Sequence, residues 1–140
     1  VRVRAASPEE VVWVAERVGF YPTSQVRGMV AVDASGRVRA GVAFDGWTQS
    51  SAQCHMASES PMAWRTLLPE AMRYAFLQAG RLVLVGTVRE SNTASRALTE
   101  RFGFSLLARL EDGAQPGEAL LFYQLRREQC RYLTPHQEAA

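Results

Sequence analysis

The sequence predicts an α/β domain with a mixed, mostly antiparallel sheet, and three observations carry the prediction. Three apolar runs, VRGMVAVD, RVRAGVAFDGWT and SAQCHMASE, follow one another with only turn residues between them, as in an antiparallel meander. The run LVLVGTV is continuous rather than alternating, the pattern of a strand buried on both faces in parallel pairing. Between these blocks, Trp64, Leu67, Leu68, Ala71, Ala75 and Phe76 recur at helical spacing.

Taken in order, VRVRA has strand composition, and Ser7-Pro8-Glu9-Glu10 then opens a helix: a capping serine, a proline inside it, and two acids facing the positive end of the helix dipole. Val11, Val14, Ala15 and Val18 form its apolar stripe, and Gly19 ends it. Ala34-Ser35-Gly36 has the composition of a hairpin turn between the first two meander strands. In HMASESPMAWR a strand runs directly into a helix start, with Ser60 placed to cap and Pro61 at the first helical position. The helix then spans 61–79, and Pro69 inside it calls for a kink or a distinct first turn. After LVLVGTV, Ser91-Asn92 can cap a shorter helix that Gly103 terminates, and FSLLARLE and EALLFYQLR close the domain around DGAQPG.

At 140 residues with 47% apolar content, the chain suits one compact domain, here 1–133, followed by a polar tail at 134–140. All 16 basic residues are Arg, which excludes a lysine nucleophile or Schiff base, and they are dispersed, so no nucleic-acid footprint is evident. Cys54 and Cys130 are far apart and show no metal-type spacing. With no signal peptide and no membrane-length apolar run, the expectation is a reduced, cytoplasmic protein without a metal.

Acid–base candidates lie on the third meander strand. His55 and Glu59 share a face by strand alternation, and either can take a proton while the other orients it. Cys54 points the other way and reads as a core residue. Tyr21 and Trp47 are candidate substrate-binding aromatics.

The segment SNTASRALTERFGF, with Asn92 after a buried strand, Leu98 six positions on and Glu100-Arg101-Phe102-Gly103-Phe104 at its end, resembles the second conserved motif of the GCN5-related N-acetyltransferases (GNAT). The element order matches that family across almost the whole chain, and GWT…CHMAS…SPMAWRTLL with EQCRYL looks like a divergent, phage-borne branch. The resemblance implies a sheet of about six to seven strands, flanked by helices, with two central parallel strands splayed apart. It also implies acetyl-CoA or another acyl-CoA as co-substrate, and a small-molecule or protein amine as acceptor. Carried onto this chain, the acyl and pantetheine part falls to Met56, Ala57 and Ser58. The pyrophosphate falls to Ser60, Met62, Ala63, Trp64 and Arg65, with Asn92 and Ser95 as further cofactor contacts. Helix-start amides suit a diphosphate on physical grounds as well. The family's Gln/Arg-x-x-Gly-x-Gly/Ala signature is absent, since Met62 and Trp64 bring bulk where glycine or alanine is usual, and Thr99 stands where a tyrosine often protonates the departing thiolate. These departures set an acyltransferase reading against two rivals: a GNAT-fold binding or assembly module, and a nucleic-acid-modifying enzyme of the same fold. A homodimer built from sheet edges is compatible with all three.

Overall fold

The computed structural model describes residues 1–133, so the tail at 134–140 lies outside the described residues. The elements follow in the order β1 (Arg2–Ala5), α1 (Pro8–Val18), β2 (Arg27–Val32), β3 (Val38–Asp45), β4 (Ser51–Ser58), α2 (Trp64–Arg73), β5 (Val83–Arg89), α3 (Thr93–Arg101), β6 (Ser105–Gln115) and β7 (Glu118–Arg126). The seven strands form one sheet in the order β1-β2-β3-β4-β5-β7-β6. Every neighbouring pair is antiparallel except β4 and β5, which are parallel.

Local chemistry sets the helix ends. Ser7 accepts the Glu10 N–H while the Glu10 carboxylate accepts the Ser7 N–H, a complete capping box, and Arg4 reaches over from β1 to grip the same carboxylate at 2.6 and 2.7 Å. Gly19 closes α1 at φ 98°, a conformation that costs other residues energy.

Two layers cover the sheet. On one face Val11 and Val14 of α1 pack on Val26, Ala43 and Ala57. On the other, α2 and the end of α3 bury Trp64, Leu67, Leu68, Ala71, Met72, Phe102 and Phe104 against the inward residues of β3, β4, β5 and β7. The segment after β7 joins this second core: Cys130 and Leu133 are buried, and Tyr132 meets Phe102 edge to face. α1 sits so close to β3 that a Cβ at Gly41 would lie 2.5 Å from the Val14 side chain. No described helix is long and apolar enough to cross a membrane.

Three expectations are corrected. The helix expected over 61–79 is three pieces: a 3-10 turn (Pro61–Ala63), α2, and a π-helical turn (Tyr74–Gln78). The distinct first turn called for by Pro69 is therefore present. Ser60 precedes that turn, but its side chain makes no capping bond, because the turn is tied instead by Ser58. β6 also runs on through DGAQ to residue 115 rather than ending near 111. Asp112 adopts φ 60° and its carboxylate accepts the Gly117 N–H at 2.7 Å, which narrows the hairpin turn.

Gly41→Ala is expected to lower stability by about 1–3 kcal/mol through overpacking against Val14. Urea denaturation measures it, and an unchanged midpoint would show that α1 is not seated as described.

Candidate active site

The sheet divides where β4 leaves β5. Their pairing covers only Ser51↔Val83, Ala52↔Leu84 and Gln53↔Val85, after which β4 continues along β3 to Ser58 and β5 along β7 to Arg89. A gap therefore opens from Cys54 upward. The Glu59 N–H bonds the Arg39 carbonyl at 2.8 Å, so alternation turns the backbone of Ala57 and His55 toward β3 and that of Met56 and Ser58 into the gap. Consistent with this, the Cys54 carbonyl is the atom nearest to a Cβ built on Gly86 of β5, at 3.6 Å.

His55 stands on the α1 face where the strands part. Its Nε2 is 2.7 Å from the Asp45 carboxylate, and its ring stacks on Phe20 with centroids 4.2 Å apart and planes 19° from parallel. Both side chains are largely enclosed, at 12% and 21% exposure. In a neutral imidazole this carboxylate takes the Nε2–H and leaves the lone pair on Nδ1, the arrangement of an oriented general base.

Asp45 is the residue that sequence reasoning missed. It lies ten positions from His55 but pairs with Gln53 across the β3–β4 hairpin, which puts it diagonally opposite. Aligning those two runs about the Gly46–Ser50 turn would have found it.

Glu59 shares the face but does not meet His55. Its carboxylate is held by Arg37 at 3.2 Å and Arg17 at 3.5 Å, and Arg17 in turn stacks on Trp13. Partial desolvation pushes the Glu59 pKa up, but the two guanidiniums outweigh it and the net shift is downward. A carboxylate so paired is a poor proton acceptor.

The remaining positions divide clearly. Ser58 Oγ accepts the Ser60 N–H at 3.0 Å and donates to the Ser60 carbonyl at 2.7 Å, and the Ala63 N–H bonds the Ser60 carbonyl. The Trp64 N–H bonds back to Pro61 and Met62, while its side chain is buried edge to face on Phe102 with centroids 5.4 Å apart. Ala63 is buried, Met62 is 64% exposed and Arg65 is exposed. Asn92 and Ser95 bond each other, the Asn92 side chain accepting the Ser95 N–H to cap α3.

Tyr21 is 88% exposed. Trp47 lies beside Phe44 and under Arg81, and its indole N–H ties the Gln25 carbonyl, so it anchors the loop after α1. Thr99 is buried. A tyrosine does lie under α3: the Tyr123 hydroxyl donates to Glu100 at 2.7 Å, and burial, then Glu100, raise its pKa.

Cys54 is buried, and desolvation, with a smaller push from the negative Asp45, raises its thiol to about 12. It is therefore no thiolate nucleophile. Among the described residues, no group of three His, Cys, Asp or Glu is placed to hold a metal ion. A groove of about 1010 Å³ opens at the β1–β2 edge between α1 and α2, lined by Val11, Val26, Met29, Tyr74 and Leu77 among others. Its lining is mixed, with Arg27, Glu70 and Arg73 beside the apolar residues, and includes neither His55 nor the gap residues.

A single sheet whose one parallel pair opens into a gap, with α1 on one face and α2 and α3 on the other, is the fold of the GCN5-related N-acetyltransferases. Among solved structures the chain is similar to a mutant of the spermidine N-acetyltransferase SpeG from Vibrio cholerae (TM-score 0.75, 16% identity, 97% of this chain and 99% of that chain). It is also similar to a structure described as a putative phosphinothricin N-acetyltransferase (TM-score 0.70, 19% identity, 89% of this chain and 97% of that one). A dodecameric V. cholerae spermidine N-acetyltransferase matches with TM-score 0.71 at 15% identity over 91% of this chain and 94% of its own. At these identities the likeness is one of fold. No protein-family model and no curated protein sequence matches the chain.

Two outcomes follow from these environments. Cys54 is expected to resist alkylation in the native protein and to react only after denaturation, as mass spectrometry of iodoacetamide-treated samples would show. Glu59 has a folded pKa below its unfolded value of about 4.3, so its pairs stabilise fully above that value and are lost as pH falls through the depressed pKa. The stability advantage of the native protein over Glu59→Gln should accordingly shrink between about pH 6 and pH 3 in acid titrations followed by circular dichroism. An advantage that grew toward acid would contradict the pairing.

Proposed function

We propose that the chain is an N-acyltransferase that moves an acyl group, most simply acetyl from acetyl-CoA, onto an amine by direct attack. The observation that carries this is the gap between β4 and β5, with free-facing backbone at Met56 and Ser58 and the His55–Asp45 pair at its origin. An extended pantetheine arm can complete the ladder that each strand lacks on that side. The gap-facing Met56 N–H is the donor assigned to the thioester oxygen.

In the step itself, the amine nitrogen bonds to the thioester carbon and the C–S bond breaks. The amine attacks in its neutral form, His55 takes the one proton its nitrogen sheds on becoming the amide, directly or through water, and Asp45 steadies the imidazolium. A thiol is acidic enough to leave as thiolate near neutral pH, so loss of the usual tyrosine at Thr99 does not stop turnover. The buried, protonated Cys54 supports direct transfer without an acyl-enzyme. On this reading the acceptor is an amine, the reaction runs in the cytoplasm, and no metal takes part.

A second reading, a GNAT-fold binding or assembly module of phage origin, is favoured by the buried Trp64–Phe102 contact and by the tied turn at Ser58–Ser60. Calorimetric titration with CoA separates the two, since absence of binding at millimolar ligand sinks the enzyme reading. With an amine panel and thiol release as readout, His55→Ala is expected to lower kcat by about a hundredfold or more. Asp45→Asn should lower kcat with little change in the KM for the donor, and an unaltered kcat in both variants would remove this pair from the mechanism.

A further inference from the structure

The donor end of the site disagrees with a diphosphate cradle, and the disagreement has a consequence for substrate class. Such a cradle needs several backbone N–H groups converging on one anion. Here the Glu59 N–H is bonded to Arg39, the Ser60 N–H to Ser58 Oγ, the Ala63 N–H to Ser60 and the Trp64 N–H to Pro61 and Met62, while Pro61 has none. Only the Met62 amide of this turn makes no such bond among the described residues, and the exposed Met62 side chain stands beside it. The turn is also folded on itself through the two bonds of Ser58 Oγ, one of which holds the Ser60 amide away from an anion. Arg65 is exposed, where one screened charge adds little. The gap below is the reverse case: it offers Met56 and Ser58 backbone along the path of an acyl-pantetheine arm.

We infer that the donor is recognised through its acyl-pantetheine arm, with the nucleotide diphosphate left in solvent, so that acyl-pantetheine thioesters serve as donors as well as acyl-CoA. The inference rests on the acyltransferase reading above and names the part of the donor that this site selects.

The test titrates the intact protein by calorimetry with three probes: CoA, pantetheine, and phosphoadenosine diphosphate, the nucleotide half without the arm. The expected result is that CoA and pantetheine bind within about threefold of one another, while the nucleotide half neither binds nor competes at millimolar concentration. Acetyl-pantetheine should then match acetyl-CoA in kcat to a similar factor with any amine that turns over. CoA binding more than about thirtyfold tighter than pantetheine, or displacement of CoA by the nucleotide half, would overturn the inference while leaving the acyltransferase reading intact. Failure of both CoA and pantetheine to bind overturns the two together, so the failures are told apart.

Discussion

The parting of β4 from β5 is the constraint on which the rest of the molecule depends. Each strand is committed to an outer partner, β4 to β3 from Gln53 to Ser58 and β5 to β7 along its whole length, and the two outer pairings diverge. Backbone hydrogen-bonding groups left without partners inside a protein are costly, so a sheet that divides in its middle needs something to face the opening. In this chain the α2 and α3 side of the sheet is closed by Trp64, Phe102 and Val88, while the other side carries His55, Asp45 and Phe20. One geometric event thereby sets both the floor of the gap and the chemistry at its mouth.

Much of the fold was legible because its local signals agree with its long-range pairing. The Ser7 cap, the stop at Gly19 and the Asn92 cap each fell where the structure uses them, while LVLVGTV, expected to be buried on both faces, became a strand in which only every second residue is fully buried. What a reading run by run passed over were relations across the chain. The Asp45 partner of His55 depends on hairpin register, the role of Trp47 on a loop that folds back beneath it, and the closed turn at Ser58 on a hydroxyl two residues from the backbone it holds. The expected cap at Ser60 failed for that last reason: the residue type suited capping, but a neighbouring serine already fixed its backbone.

His55 and Glu59 illustrate how one face of one strand supports different chemistry a few residues apart. His55 faces a carboxylate and an aromatic ring, which engage one ring nitrogen and leave the other without a hydrogen-bond partner among the described residues. Glu59 faces two guanidiniums, which occupy its oxygens. The difference arises in the neighbours: α1 brings Phe20 near the lower position and Arg17 near the upper one, so the seat of α1 on Gly41 governs both environments.

The strand order carries a kinetic consequence. β7 follows β6 in the chain yet lies between β5 and β6, so β6 has no place in the sheet until β7 has paired with β5. The strands β1 to β4, by contrast, are each beside their sequence neighbours, β2 to β4 over short loops and β1 to β2 across α1. By contact order, assembly is expected to divide into the half from β1 to β4 and the half from β5 to β7, joined last by the short β4–β5 pairing across the α2 crossover. The seam between the two halves is the same line along which the finished sheet stands open.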